Sequence, residues 1–221
     1  MTITHVLFDF DGTLVDSRSA ILAGYRHAVA EVLGIGDFPG PEEDVGELLK
    51  RRLPETFALL GAPERGDEGA RAYDDWYRAN GTPMVTIYDG VPELLDGLDQ
   101  AGVAYGIVTN KGRGRTEGDL RHVSLDPARF GVLVTAEDSA ERKPDPTPLR
   151  IGAERAGAAA GATVYVGDGP HDVEASIAAG LGAIGVSWGF YERAELEAAG
   201  AAFVADDTRA LLSHVTAGAA A

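Results

Sequence analysis

In Ile3-Thr4-His5-Val6-Leu7-Phe8-Asp9-Phe10-Asp11-Gly12-Thr13, a short apolar, β-rich run breaks off into two carboxylates, a glycine and a threonine. That is the pattern of a buried strand delivering polar residues at its carboxyl end. Beyond it the texture turns helical. Ile21, Leu22, Tyr25, Val29, Val32 and Leu33 share one helix face between Ser17 and Leu33, with Ser17 or Ser19 as the expected N-cap.

Gly34–Pro41 reads as a turn, and further helical segments are expected at Glu42–Leu53, Glu55–Leu60 and Asp67–Asn80, with no strand among them. From Tyr88-Asp89-Gly90 onward the texture alternates. Helices are predicted at 91–101, 113–123, 147–157 and 171–179, strands at 103–108, 131–135, 163–166 and 183–187, and a terminal helix–strand–helix set closes the chain. Val103–Val108 and Thr163–Val166 are almost continuously apolar, as strands of a parallel sheet covered on both faces must be. The expected fold is therefore α/β, a doubly wound, Rossmann-like parallel sheet formed by 1–16 and 84–221, with an all-helical unit, 17–83, inserted after the first strand. In such sheets ligands sit at the carboxyl ends of the strands.

The 221 residues include 35 acidic and 19 basic ones, a formal net charge of −16, and no cysteine. Disulfides, thiolate metal sites and thiol catalysis are excluded together. The acidic field disfavours nucleic acid and anionic membrane as partners, but a metal ion and a few local cations can reverse the potential inside one cleft. The longest charge-free stretch, Ala175–Tyr191, is Gly-rich and shorter than the ~20 residues of a spanning helix, so it reads as buried core. Met1–Phe8 runs straight into Asp9 with no apolar leader, so a cytoplasmic protein is expected.

The expected strand ends carry, in order, Asp9 and Asp11, then Thr109 and Asn110, then Lys143 a little further on, then Asp168 and Asp172. Carboxylates gathered on one rim repel one another and lose solvation, so a fold tolerates them only around something positive. With oxygen donors and no thiolates, Mg²⁺ is the natural candidate. Lys143 and the metal together suit a phosphate.

Asp9-Phe10-Asp11-Gly12-Thr13, Thr109-Asn110, Lys143-Pro144 and Gly167-Asp168-Gly169-Pro170-His171-Asp172 resemble, in this order, the four motifs of the haloacid dehalogenase superfamily of phosphohydrolases. The resemblance spans essentially the whole chain, is nearest to the phosphoglycolate phosphatase-like branch, and makes 17–83 a helical cap. It implies that Asp9 is the nucleophile that becomes an aspartyl-phosphate and that Asp11 is the acid/base. Thr109 and the Asn110 backbone N–H would bind the phosphoryl oxygens, and Lys143 would neutralise them and Asp9. Gly12 would admit the phosphate closely. Mg²⁺ would be held by the Asp9 carboxylate, the Asp11 carbonyl and Asp168, with Asp172 orienting Asp168 or a metal-bound water. Gly169 departs from the small hydroxyl residue that many relatives carry there.

Other patterns are weaker. Gly185-Val186-Ser187-Trp188-Gly189, followed by Asp206, Asp207 and His214, matches a serine-hydrolase elbow. It does so against a background of 29 glycines and without a Gly-rich oxyanion loop, so a structural loop is expected. The glycines at 112, 114 and 118 break the dinucleotide fingerprint, and Leu14 and Ala20 stand where a calcium loop needs Gly and Glu. His171 reads as a partly exposed first-turn histidine, and Tyr73, Trp76 and Tyr77 as cap core. Within Lys50-Arg51-Arg52, Arg51 or Arg52 is a candidate for a second anionic group of the substrate, as are Lys111 and Arg113. The expected function is Mg²⁺-dependent hydrolysis of a small phosphomonoester, with 2-phosphoglycolate as the best single choice, by a monomer or homodimer. The alternatives are a sugar phosphomutase, a 2-haloacid dehalogenase and a non-catalytic binding module.

Overall fold

The computed structural model describes residues 2–39, 48 and 51–217. The chain divides into two compact units, one formed by Met1–Asp16 and Thr86–Ala221, the other by Ser17–Val85.

The first unit opens with strand β1 (His5–Phe8), followed by β2 (Val15–Asp16). The second unit contributes α1 (Arg18–Leu33), α2 (Leu53–Leu59) and α3 (Gly66–Trp76). The first unit resumes with β3 (Thr86–Ile87), α4 (Val91–Ala101), β4 (Ala104–Val108), α5 (Arg113–His122) and β5 (Val132–Val134). After these come α6 (Thr147–Arg155), β6 (Thr163–Gly167), α7 (Pro170–Ala179) and β7 (Gly182–Val186), then α8 (Arg193–Ala198), β8 (Phe203–Ala205) and α9 (Thr208–Thr216).

Six strands form one parallel sheet in the order β5-β4-β1-β6-β7-β8. The doubly wound expectation holds. The chain builds outward from β1 through β4 to β5, then returns to place β6 on the other side of β1. The strand order therefore reverses at β1, the topological switch point where such sheets bind ligands. All five residues of β6 are buried, in keeping with a strand covered on both faces. Leu7, Val108, Val132, Val134, Leu149, Tyr165, Ala175 and Leu181 form one continuous core under α6 and α7. Each large aliphatic or aromatic side chain buried there contributes roughly 1.5–3 kcal/mol. On α4, Val91, Leu94, Leu95 and Leu98 turn a second apolar stripe inward.

Three local expectations need correction. Ser17 does stand at the N-cap of α1, but its hydroxyl makes no cap bond and is buried without a partner among the described residues. The helix expected at 67–80 leaves α geometry after Trp76 and continues as a π turn over Tyr77–Gly81. Strands β2 and β3 pair antiparallel as a two-residue ribbon, too short to show any alternation in sequence. The helix expected at Glu42–Leu53 and the residue Lys50 lie largely or wholly outside the described residues. Within the helical unit, Tyr25 meets Tyr73 edge-on at 5.6 Å and Tyr73 tilts against Tyr77 at 5.6 Å. Those tyrosines are core, as expected, while half-buried Trp76 stacks on His27.

Candidate active site

Because Phe8 is in register with Ile107 on one side and Val166 on the other, the residues just beyond β1, β4 and β6 emerge on the same rim. These are Asp9, Thr109 and Asp168. Lys143 arrives from the connection after β5 and is latched there by Asn110. The Lys143 backbone N–H donates to Asn110 Oδ1 at 3.1 Å, and Asn110 Nδ2 donates back to the Lys143 carbonyl at 3.3 Å. Asp172 joins from the first turn of α7, which begins right after β6.

Lys143 is the hub, and it is only 5 % exposed. Its Nζ lies 2.8 Å from Asp9 Oδ1 and 2.7 Å from Asp172 Oδ1, and it donates at 2.7 Å to the hydroxyl of Tyr165. Tyr165 in turn donates to the Val108 carbonyl at 2.6 Å. An ammonium has three N–H donors, so all of them are engaged by protein. Lys143 is expected to neutralise both Asp9 and the phosphoryl oxygens, and the structure sets its ammonium directly against Asp9. Tyr165 was invisible to sequence reasoning because, inside the run Thr163–Gly167, it reads only as a strand residue. Asp172 Oδ1 takes Lys143 and its Oδ2 takes the Gly169 N–H at 3.0 Å, so it holds the lysine and closes the start of α7.

Asp9, Asp168 and Asp172 are all buried, with Lys143 set against them. Fully ionised, the group carries two more negative than positive charges. Burial raises the Asp9 carboxyl, and Lys143 only partly offsets it. Asp168 is pushed well above the ordinary carboxylate range, by burial first and then by Asp172 and Asp9. Asp172 is held below that range: burial opposes this, but His171 and Lys143 outweigh it. Burial would lower Lys143, yet Asp172 and Asp9 keep it above its usual value.

This imbalance is what a divalent cation would correct. Asp168 Oδ2 accepts from the Phe190 N–H at 2.7 Å, and its carboxylate is flanked by Gly12, at φ +82°, and Gly189. A Cβ on either glycine would run into the Asp168 carboxylate. Asp9, His171 and Asp172 also bring one ligand atom each within 4.8 Å of one another. Both Asp172 oxygens are hydrogen-bonded, Asp9 and Asp168 each have one oxygen engaged by protein, and Mg²⁺ prefers oxygen to imidazole. Thr109 Oγ1 accepts from the Lys111 backbone N–H at 3.2 Å, which leaves its own O–H to donate.

The selectivity candidates fare differently. Lys111 is buried, with its Nζ 2.7 Å from Asp11 Oδ1 and 2.6 Å from Asp119 Oδ2, so it is engaged by carboxylates of the protein. Arg113 donates to Asp138 Oδ2 at 2.6 Å and to the Leu133 carbonyl, and thus braces the connection after β5. Arg52, in the helical unit, pairs with Glu55 at 2.7 Å, whereas Arg51 is exposed. The serine-hydrolase pattern does not assemble. Ser187 donates to Asp206 at 2.8 Å, Asp206 is held by Arg193, and His214 stacks on Phe203.

Sheet and site together define an α/β protein with a dense cluster of buried charges at its switch point, where enzymes of this architecture do their chemistry. The chain belongs to the haloacid dehalogenase-like hydrolase family, whose model matches residues 6–186. It is 37 % identical over 186 residues to the pyrophosphatase PpaX of Bacillus velezensis, covering 84 % of each chain. It is 36 % identical over 186 residues to a phosphoglycolate phosphatase of Xanthomonas campestris, covering 84 % of this chain and 83 % of that one. Among solved structures, a predicted phosphatase from Clostridium acetobutylicum superposes with a TM-score of 0.85 at 25 % identity, over 97 % of this chain and 99 % of that one.

Proposed function

We infer that the protein is a phosphoric monoester hydrolase that works through an aspartyl-phosphate on Asp9. The observation that carries this reading is the buried Asp9 carboxylate gripped by Lys143 beside the glycine-walled Asp168, in a chain of this hydrolase family. One Asp9 oxygen is held by Lys143, which leaves the other to attack phosphorus. As the Asp9 O–P bond forms and the bond to the leaving oxygen breaks, Asp11 gives that oxygen a proton. Asp11 then takes a proton from water as the water oxygen bonds phosphorus and the Asp9 O–P bond breaks, which releases phosphate and restores the Asp9 carboxylate and the protonated Asp11.

Mg²⁺ held by the Asp9 and Asp168 carboxylates and the Asp11 carbonyl supplies charge neutralisation for the phosphoryl oxygens. The Thr109 hydroxyl and the Asn110 backbone N–H bind those oxygens, and Gly12 admits them without a side chain in the way. Lys143 favours the ionised form of Asp9 against the burial that raises its carboxyl. The helical unit Ser17–Val85 is assigned as the cap that selects substrate, with Arg51 or Arg52 as the candidate for a second anionic group.

A small phosphomonoester such as 2-phosphoglycolate is the preferred substrate, in keeping with the Xanthomonas relative. Inorganic pyrophosphate is the second reading, favoured by the likeness to PpaX. Phosphate release from a panel containing both, with Mg²⁺ or chelator and beside Asp9→Asn, tests the assignment. Hydrolysis that needs both Mg²⁺ and Asp9 is expected. Activity that survives chelation or Asp9→Asn overturns it.

A further inference from the structure

We infer that Lys111 and Asp119 form a buried positioning pair that aims the Asp11 carboxylate at the leaving oxygen, an inference that rests on the acid/base role given to Asp11 above. The Lys111 side chain is 3 % exposed and that of Asp119 0 %, whereas Asp11 keeps 19 %. The ammonium is enclosed from several directions. Asp119 Oδ2 meets it from α5 at 2.6 Å, the Phe10 ring faces it with its centroid 5.2 Å away, and Asp11 Oδ1 lies at 2.7 Å on the side that stays partly open. The backbone of Lys111 is fixed as well, because its N–H donates to Thr109 Oγ1 two residues back.

Packing does not account for this arrangement. A buried ion pair is commonly no more stabilising than apolar residues of the same volume, so a methionine and a leucine would serve the core at least as well. What they could not do is hold a second carboxylate. Asp119 anchors the ammonium from within the fold, and the ammonium anchors Asp11. An aspartate side chain with no partner samples several staggered rotamers, whereas a general acid must stay within about 2.6–3.2 Å of the oxygen it protonates. Fully buried Asp119 reaches Asp11 through Lys111, so both are positioning residues.

The inference separates from a merely structural role by leaving-group dependence. A nitrophenolate departs without a proton, but an alkoxide does not. Lys111→Met and the double variant Lys111→Met/Asp119→Leu are compared with wild type by thermal melting and by kcat/KM on an alkyl phosphomonoester and on p-nitrophenyl phosphate with Mg²⁺. Lys111→Met strands a buried carboxylate and is expected to melt lower, while the double variant regains the lost melting temperature. In the double variant the alkyl substrate is nevertheless expected to lose about 10- to 100-fold more kcat/KM than the aryl one. A double variant whose alkyl-to-aryl ratio returns to within about threefold of wild type overturns the inference. If the double variant does not fold, Asp119→Asn is read on the same ratio, and an unchanged ratio there is equally fatal. A wild-type protein that hydrolyses neither ester refutes the phosphatase reading itself, a result distinct from an unchanged ratio.

Discussion

Replacing Asp168 with asparagine should make the metal-free protein more stable while removing its metal-dependent activity. Asp168 is 2 % exposed and shares its pit with Asp9 and Asp172, and burial together with those two carboxylates pushes its carboxyl well above the ordinary range. The amide keeps the acceptor for the Phe190 N–H, though a neutral acceptor gives up about 1 kcal/mol relative to a charged one. Relief of the unbalanced buried charge exceeds that loss, for a net gain of about 1–3 kcal/mol. In a chain of 221 residues, that gain raises the melting midpoint by roughly 2–10 °C. The gain also depends on pH. Because the folded-state carboxyl is raised, the proton it binds stabilises the wild-type fold fully below the unfolded value of about 3.8. That stabilisation is lost as pH rises through the folded value, so wild type and Asp168→Asn should diverge progressively from about pH 4 upward. Scanning calorimetry in chelator from pH 4 to 8 measures this. With Mg²⁺ at about 100 times its Kd, wild type should gain about 2.7 kcal/mol and the variant far less. A variant that melts lower than wild type in chelator at neutral pH, or that keeps the full Mg²⁺ shift, refutes the charge-imbalance reasoning.

Tyr165→Phe removes the hydroxyl that joins Lys143 to the Val108 carbonyl. A lost bond to a charged donor, about 1.5 kcal/mol, should lower kcat about tenfold with KM little changed, as read by steady-state kinetics. Gly189→Ala places a Cβ against the Asp168 carboxylate and the Gly12 carbonyl. Mg²⁺ affinity measured by calorimetric titration should fall by at least about tenfold, with the far-UV dichroism unchanged. Ser187→Ala should leave activity within about twofold of wild type, because that hydroxyl serves only the Ala205 carbonyl and Asp206.

The sheet was legible because its strands are apolar runs cut off by polar residues. Val103–Val108 and Thr163–Val166 state their burial directly, and the helices between them leave a parallel sheet as the consistent arrangement. The rim residues Asp9, Thr109 and Asp168 followed from the rule that ligands meet strand carboxyl ends. What stayed hidden was pairing across long sequence separations. Nothing around Lys143 reveals that the Tyr165 hydroxyl accepts its third N–H, since a tyrosine in a strand reads as packing. Lys111 looked like a rim cation because a lysine after Asn110 suits solvent or ligand equally. Its partner Asp119 lies in Arg113–His122, a helix whose sole large aliphatic residue is Leu120, so no apolar stripe marked the buried face. Ser17 carried a standard capping signal, yet its hydroxyl is buried and has no partner among the described residues. The β2–β3 ribbon spans two residues per strand, below the length at which periodicity carries information.

The account stands on Asp9 as the atom that takes the phosphoryl group, and the most direct measurement is to find it there. Asp11→Asn should still allow attack on an activated aryl phosphate, which needs no proton for its leaving group, but should slow breakdown of the adduct. Acid quench of this variant turning over p-nitrophenyl phosphate with Mg²⁺, followed by peptide mass spectrometry, is expected to place one phosphoryl group on the carboxylate of Asp9. The adduct should vanish when Asp9→Asn is added. Phosphate released with no adduct at any quench time, or an adduct on a residue other than Asp9, contradicts the account.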